Sequence, residues 1–404
     1  MKIKHILIIA GCIASLFCNL NPATAQTWTQ TSAPSNNWSS VACSTDGMFL
    51  VVAATNYDGT IYASTNAGTS WGQTTAPSGN AWRGIACSAS GSNIVAASTY
   101  FGSSTSGKIY LSTNSGNSWY ASSAPNSAYW TAVASSSDGN NLLAAKWNNS
   151  FGSSGALFNS TNGGALWHSN SLPNLGGWSS VAMSTNGNIM AAVNTNGFVI
   201  MSTNAAASWY SNNFSIGLPG VSVACSADGS AIIVSSVGNA LFISTNFGIN
   251  WRQQPMPRSQ WTKVICSASG GRILVLGSEG LIFSSVDGGT TWSSLPNPFD
   301  TWVSGAATPD LKRVALISSK THLSASDAYG NIYTNLPAST QALNIVVANG
   351  QAYLTWLTPS DSLLQQSSSL SSPNWTTVTN TPSVVNQVIL SATNSSNYYR
   401  LVAP

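Results

Sequence analysis

The stretch Ser64-Thr-Asn66-Ala-Gly68-Thr-Ser-Trp71 decides the fold, because related stretches recur along the chain. The later copies end at Trp119, Trp167, Trp209, Trp251 and Trp292. Together with an earlier Trp28, these tryptophans follow one another at intervals of 41 to 48 residues. A fixed period of this length is typical of repeat proteins, in which each unit packs only against its neighbours.

A second tryptophan series marks the start of each unit. Its members are Trp38, Trp82, Trp130, Trp178, Trp261 and Trp302, and only the unit that begins near Val221 lacks one. Alternating apolar residues in the first unit predict strands at 38–43, 49–54 and 60–64, with a fourth strand starting at Trp71. Asp-Gly and Asn-Gly pairs between them favour tight hairpins. Four strands per repeated unit predict a β-propeller.

The units number seven if the chain closes on itself. The last unit has predicted strands at 302–308, 313–318 and 331–334 and then stops at Leu336-Pro337. A strand at 27–31 comes before the first unit and carries Trp28 in the fourth-strand position. We therefore predict an all-β, seven-bladed β-propeller over residues 26–337, with the N-terminal strand closing the last blade. Closure removes an exposed sheet edge.

The two ends of the chain differ from the repeats. Lys2 and Lys4, an apolar stretch at 6–17 and Ala23-Thr-Ala25 predict a signal peptide over 1–25, cleaved after Ala25. We expect the protein to be secreted, periplasmic or on the cell surface, without a transmembrane segment. Short alternating stretches between 343 and 402 predict a small β-sandwich module over residues 338–404.

Charge restricts the possible partners. Charged residues make up 6% of the chain, and its formal net charge is +3. No Lys/Arg cluster forms the basic stripe that nucleic acid requires, so we expect no nucleic-acid partner. The polar surface consists mainly of Ser, Thr and Asn, which suits an uncharged ligand.

The Ser-x-Asn/Asp-x-Gly-x-x-Trp units resemble the Asp-box (BNR) repeats of sialidase-like propellers. Their arrangement also resembles sortilin-like propellers and the Ycf48-like assembly factors of photosystem II. The resemblance covers about three-quarters of the chain and implies the fold much more than the function. In that family the box is a structural turn on the outer part of the blade. Here five of six boxes carry Asn for Asp and Ala206 replaces the Gly, so we expect neither calcium nor catalysis at the boxes.

Cofactor and metal sites have few residues to draw on. Cys43, Cys87, Cys225 and Cys266 all end the first strand of a blade, which predicts small core residues. Bridges between Cys43 and Cys87, or between Cys225 and Cys266, are the alternative. Only His168 and His322 lie outside the predicted signal peptide. We expect no cofactor and no metal.

Three carboxylates are candidates for catalysis. Asp58 and Glu279 lie in turns between the second and third strands, and Asp300 precedes Trp302. These positions open on one face of a propeller, where paired carboxylates at about 5–10 Å hydrolyse glycosides. Solvated turn residues are the alternative interpretation. The arginines show no grouping like the carboxylate-binding triad of sialidases.

Aromatic residues on the same face are candidates for ligand binding. Blades two and three are longer between their second and third strands, and the extra residues carry aromatic rings. The candidates are Tyr57, Tyr100, Phe101, Tyr129, Trp147 and Phe151. With the first-strand tryptophans, these rings would form a shelf for neutral sugars. The alternative is that the first-strand tryptophans pack between blades.

We therefore predict a monomeric, exported binding protein that recognises a neutral glycan or a cell-surface protein through one propeller face. A secreted glycoside hydrolase, xyloglucanase-like or sialidase-like, is the enzymatic alternative. An assembly scaffold, as the Ycf48-like resemblance implies, is the third possibility.

Overall fold

A computed structural model describes residues 28–335 apart from 56–58, 100–106, 127–128, 148–154, 171, 173–175, 212–215, 238–239, 258, 297, 299 and 320–329. It also describes six strands between residues 344 and 402. The described residues contain β-strands and no helix. The sheets of residues 28–335 form seven blades. The predicted all-β, seven-bladed propeller is confirmed.

Each blade is an antiparallel sheet, and in blades one to six the strands follow one another in chain order. The first strands are Trp38–Cys43, Ala81–Cys87, Trp130–Ser135, Trp178–Met183, Gly220–Cys225, Trp261–Cys266 and Thr301–Ala307. The second strands are Leu50–Ala54, Ile94–Thr99, Leu142–Lys146, Met190–Asn194, Ile232–Ser236, Ile273–Gly277 and Val314–Ser319. The third strands are Ile61–Ser64, Ile109–Ser112, Ala156–Ser160, Val199–Ser202, Leu241–Ser244, Ile282–Ser285 and Ile332–Asn335.

The fourth strands are short and lie at the outside. They are Gly72–Gln73, Tyr120–Ala121, His168–Ser169, Arg252–Gln253 and Ser293–Ser294, with Thr29–Gln30 in blade seven. Blade four has a single bridge between Met201 and Tyr210 at this position instead of a strand.

The N-terminal strand closes the ring as predicted. Thr29 and Gln30 pair with Thr334 and Tyr333 of the last blade. Asn36 and Gly330 then exchange two backbone hydrogen bonds of 3.1 and 2.9 Å. Blade seven therefore takes its outer strand from the other end of the propeller sequence.

Residues between 344 and 402 form two three-stranded sheets. One contains Asn344–Ala348, Gln351–Thr355 and Gln387–Ser391, and the other contains Thr376–Thr377, Leu363–Ser367 and Tyr398–Val402. The strand Leu363–Ser367 has the sequence Leu-Leu-Gln-Gln-Ser, which does not alternate, so the sequence pattern does not indicate it. The β-sandwich for this part of the chain stays a prediction.

The first-strand tryptophans fill the space between blades. Trp82, for example, is fully buried against Val51, Ala53 and Ile61 of the preceding blade. Its ring also meets Tyr110 of its own third strand edge-on, with centroids 5.4 Å apart. Blade five has Gly220 at this position, because a Cβ there would lie 2.1 Å from Val193 Cγ2 of blade four.

The repeated Ser-x-Asn-x-Gly-x-x-Trp segment forms a turn between the third and fourth strands. In blade one, Ser64 Oγ accepts from the Gly68 N–H at 2.9 Å, and Asn66 Oδ1 accepts from the Ser70 N–H at 2.9 Å. The Trp71 indole N–H then donates to the Gly68 carbonyl at 3.1 Å. Gly68 has φ +89°, a conformation that favours glycine. Each recurring residue of the segment (Ser, Asn, Gly and Trp) therefore helps to stabilise the turn.

Candidate functional site

A narrow channel runs through the centre of the ring. Its cavity of about 170 Å³ is lined by residues of all seven first strands. In every blade the pairing of the first and second strands shifts register near the start of the first strand. The shift lies between the tryptophan position and the residue two places later, as between Trp38 and Ser40 in blade one. Such bulges redirect side chains, and they are frequent beside functional sites.

Hydroxyl groups join neighbouring blades around this channel. At the residue after the tryptophan, Thr131 and Ser179 donate to the carbonyls of Trp178 and Gly220 of the next blade, both at 2.7 Å. One residue later, Ser40 Oγ accepts from the Ile85 N–H of the next blade at 3.2 Å. The first strands are therefore held at fixed spacing by short polar side chains.

The channel widens on the face where the second strands end. This channel mouth is a cavity of about 510 Å³. It is lined by Trp38, Ser39, Thr55, Arg83, Thr99, Tyr129, Trp130, Thr131, Trp147, Ser179 and Val303. No carboxylate is among these residues. The mouth combines aromatic rings, hydroxyl groups and one guanidinium.

Two predicted binding residues, Trp147 and Tyr129, line the mouth together. The Trp147 N–H donates to the Tyr129 carbonyl at 2.8 Å, and the Trp147 side chain is 40% exposed. Its ring lies against Gly177, where an added Cβ would be 2.9 Å from Cδ2 of the indole. The absence of a side chain at Gly177 therefore leaves room for the Trp147 ring.

Buried donors without an acceptor adjoin the mouth. The Trp82 indole N–H donates to the Gly59 carbonyl at 3.0 Å, but in the described part of the chain those of Trp38 and Trp130 bind nothing. A buried donor without a partner costs about 1–3 kcal/mol. Within the described residues the indole N–H groups of Trp28, Trp261 and Trp302, which do not line the mouth, are also unpaired, so such donors are a feature of the repeat and not of the mouth alone.

The remaining predicted aromatic residues, Tyr57, Tyr100, Phe101 and Phe151, lie outside the described residues. The first-strand tryptophans are described and are at most 2% exposed. They pack between blades, as in the alternative interpretation, and their faces offer no shelf for stacking.

The catalytic candidates have separate surroundings. Asp300 accepts a hydrogen bond from its neighbour's N–H (Thr301, 3.0 Å) and another from the Tyr333 hydroxyl at 3.3 Å. Glu279 is exposed in its turn, and Asp58 lies outside the described residues. Neither Asp300 nor Glu279 lines the channel mouth.

The sequence prediction missed two cationic residues, Arg83 and Lys263. Arg83 is exposed and lines both the mouth and the channel, and the half-buried Lys263 lines the channel. Burial lowers the pKa of the Lys263 ammonium. Aligning the seven first strands would have found both residues, because the other blades carry short uncharged side chains at these positions.

Among the described residues, four cysteines are free thiols, each at the end of a first strand: Cys43, Cys87, Cys225 and Cys266. Burial raises the pKa of Cys43 and of Cys266 to about 12, with nearby Asp46 and Asp228 respectively as secondary causes. Within the described residues, no group of three or more His, Cys, Asp or Glu side chains is arranged to hold a metal ion. The same residues include no helix long and apolar enough to span a membrane.

Known proteins resemble this chain in structure but not in sequence. No family model matches the chain, and no curated protein matches its sequence. A structure of Ycf48 bound to a D1 peptide is similar over 76% of this chain and 95% of its own, with a TM-score of 0.55 and 14% identity. Ycf48 from Cyanidioschyzon merolae is similar over 77% of this chain and 98% of its own, with a TM-score of 0.57 and 15% identity.

Proposed function

We propose that this chain is a non-catalytic binding protein that holds a segment of a protein partner in the channel mouth. The observation that carries the proposal is the cavity of about 510 Å³, with the 40% exposed Trp147 at its wall. Concave sites lined by aromatic rings and a few polar groups are the common form of binding sites. Trp and Arg are also the residues most often dominant in protein interfaces.

Two further observations support binding over hydrolysis. No described residue of the mouth is a carboxylate, whereas hydrolysis of a glycoside needs a pair of them. A solved propeller of similar fold has a D1 peptide bound to it, so this architecture is compatible with a peptide ligand. A role in the assembly of a larger complex is consistent with such binding.

A neutral glycan is the second candidate ligand. Trp147 presents an exposed ring, and Thr55, Thr99 and Ser39 line the same cavity with hydroxyl groups. Apolar faces of sugars stack on such rings, while their hydroxyls bond to polar side chains. Arg83 favours the protein partner, since a neutral sugar has no charge to pair with it. We also propose export of the protein, on the signal-like sequence of residues 1–25.

The test selects ligands for the purified protein from a random peptide library and from an array of polysaccharides in parallel. Trp147→Ala is expected to weaken a selected peptide by about 2 kcal/mol, a factor of about 30. Leu166→Ala is the control, because Leu166 is 52% exposed in a turn on the other face. Selection of peptides insensitive to Trp147→Ala would contradict the proposal, and glycan retention lost in that variant would favour the second candidate.

A further inference from the structure

The residues that line the channel are short and uncharged in most blades. At the second position after the tryptophan, blades one, four, five and seven have serine, and blades two and three have Gly84 and Ala132. Blade six has Lys263 there. One position earlier, Arg83 stands where other blades have Ser, Thr or Val. Both departures from the repeat introduce a positive charge into the same cavity.

Lys263 cannot make a contact that three of its equivalents make. Ser40, Ser180 and Ser222 each accept a hydrogen bond from the backbone N–H of the next blade, at 3.2, 3.1 and 3.3 Å. A lysine ammonium only donates, so Lys263 cannot take this role. Residues that break a repeat at the expense of local bonding are expected at functional positions.

The charge of Lys263 has no partner in the described part of the chain. The described ion pair is Lys312 with Asp310, at 3.4 Å on the surface. The first strands that flank Lys263 contribute Val221, Ser222, Val303 and Ser304, none of them titratable. The other charged residue described along this cavity is Arg83, also a cation. Two positive groups thus share a cavity whose described lining has no carboxylate.

The hydroxyl groups around Lys263 suit an anion rather than a cation. Ser40, Ser180 and Ser222 use an oxygen lone pair to accept from the backbone. Among the described hydrogen bonds their hydroxyl hydrogens have no acceptor, so they remain as donors. Ammonium, guanidinium and hydroxyl donors together match the acceptor oxygens of a carboxylate.

We propose that Lys263 and Arg83 form an anion site in the central channel that takes the carboxylate of a bound ligand. The inference rests on the proposed function of the channel mouth, since the carboxylate enters through it. Its source is either a small organic acid or the free C-terminus of a peptide. A chain end suits a channel of about 170 Å³, because the carboxylate enters first and the chain follows through the mouth.

The experiment follows the lysine side-chain resonances of the ¹³C-lysine-labelled protein by NMR. Lys263→Met assigns the Lys263 signal by its loss. Three probes are titrated separately: acetate, N-acetyl-tetra-alanine with a free C-terminus, and the same peptide as its C-terminal amide. We expect a saturable shift of the Lys263 signal with acetate or the free acid, and none with the amide. A shift with acetate but not with the free-acid peptide identifies a site for small acids. Tighter binding of the free-acid peptide than of acetate identifies a site for a chain end.

Affinity is measured by calorimetry with whichever acid shifts Lys263. Lys263→Met and Arg83→Ser are each expected to weaken it about tenfold or more, since each variant removes a charged hydrogen-bond donor. Lys312→Met, which removes an equal charge from the exposed surface, is the control and should change nothing. If Lys263→Met does not fold, Lys263→Gln replaces it in the same measurements.

No shift with either acid, an equal shift with the amide, or unchanged affinity in both Lys263 variants would overturn the inference. The mouth is tested separately by Trp147→Ala. A ligand lost in Trp147→Ala but kept in Lys263→Met would leave the proposed function standing and remove the anion site.

Discussion

The Ala268 N–H donates to the Pro309 carbonyl at 2.7 Å, the last link in a series that joins the first hairpin turns of consecutive blades. The donors of the earlier links are Thr45, Ala89, Ser137, Thr185 and Ala227. Proline has no N–H, so Pro309 cannot continue the series to blade one. The contact between blades seven and one therefore lacks this bond and depends more on the N-terminal strand.

We expect Trp28→Ala to lower the free energy of unfolding more than Trp71→Ala, the equivalent change in blade one. Trp28 packs on Trp302 with ring centroids 6.4 Å apart, and it anchors a strand of only two paired residues. Truncation of a buried aromatic residue costs about 3–5 kcal/mol, and a half-buried one costs less. Urea unfolding measures both variants. Equal losses would show that the N-terminal strand has no special role in closure.

Gly177→Ala is expected to weaken ligand binding at the channel mouth without altering any lining side chain. The new Cβ would lie 2.9 Å from Cδ2 of the Trp147 indole, so the ring must move. We expect a smaller loss of affinity than in Trp147→Ala, together with a changed tryptophan emission. Gly72→Ala is the control, because no atom lies within 4 Å of a Cβ added there. A Gly177→Ala protein with unaltered affinity would show that the ring position does not matter.

Removing the charge of Lys263 should stabilise the protein. Burial lowers the pKa of this ammonium below its ordinary 10.5. Between the folded pKa and the unfolded value the unfolded chain binds more protons, so stability rises with pH through this window. Lys263→Met is therefore expected to be more stable at pH 7 and to lose that slope, as measured by urea unfolding from pH 7 to 10.5. A less stable variant would indicate that the ammonium has a structural partner.

Acid is expected to weaken the first hairpin turns. The hydroxyls of Ser44, Ser136 and Ser226 lower the pKa of Asp46, Asp138 and Asp228 respectively, and backbone N–H groups add to the effect. A carboxyl with a lowered folded pKa contributes stability above the unfolded value of about 3.9 and loses it as pH falls through the folded pKa.

The matched variant replaces all three aspartates by asparagine. Asn186 already accepts from Ser184 at 2.8 Å in the same turn of blade four, so the geometry is preserved. Thermal unfolding between pH 7 and 2.5 should then show a weaker pH dependence than in the original protein. An unchanged dependence would place the acid-sensitive groups elsewhere.

The propeller thiols are expected to resist alkylation. Burial raises the pKa of Cys43 and of Cys266 to about 12, so almost no thiolate is present at pH 8. Iodoacetamide at pH 8 should label Cys43, Cys87, Cys225 and Cys266 only after unfolding, which peptide mass spectrometry can follow. Rapid labelling of any of the four in the folded protein would contradict this expectation.

The sequence alone determined the fold of the propeller. The blade is specified by the Asn/Asp-Gly turns, the number of blades by Trp71 and its equivalents, and the closure of the ring by the strand carrying Trp28. All three can be predicted because they depend on spacing along the chain. It also indicated the face that carries Trp147 and Tyr129, since inserted residues stand out against a repeat.

Only the tertiary structure decided what meets in the channel. Arg83 and Lys263 are 180 residues apart in sequence and come from blades two and six, so their shared cavity exists only when the ring closes. It also decided that the first-strand tryptophans are buried between blades and that the Tyr333 hydroxyl binds Asp300. Strand periodicity tells which side of a sheet a residue faces, but the contacts across the ring depend on how seven sheets pack around one axis.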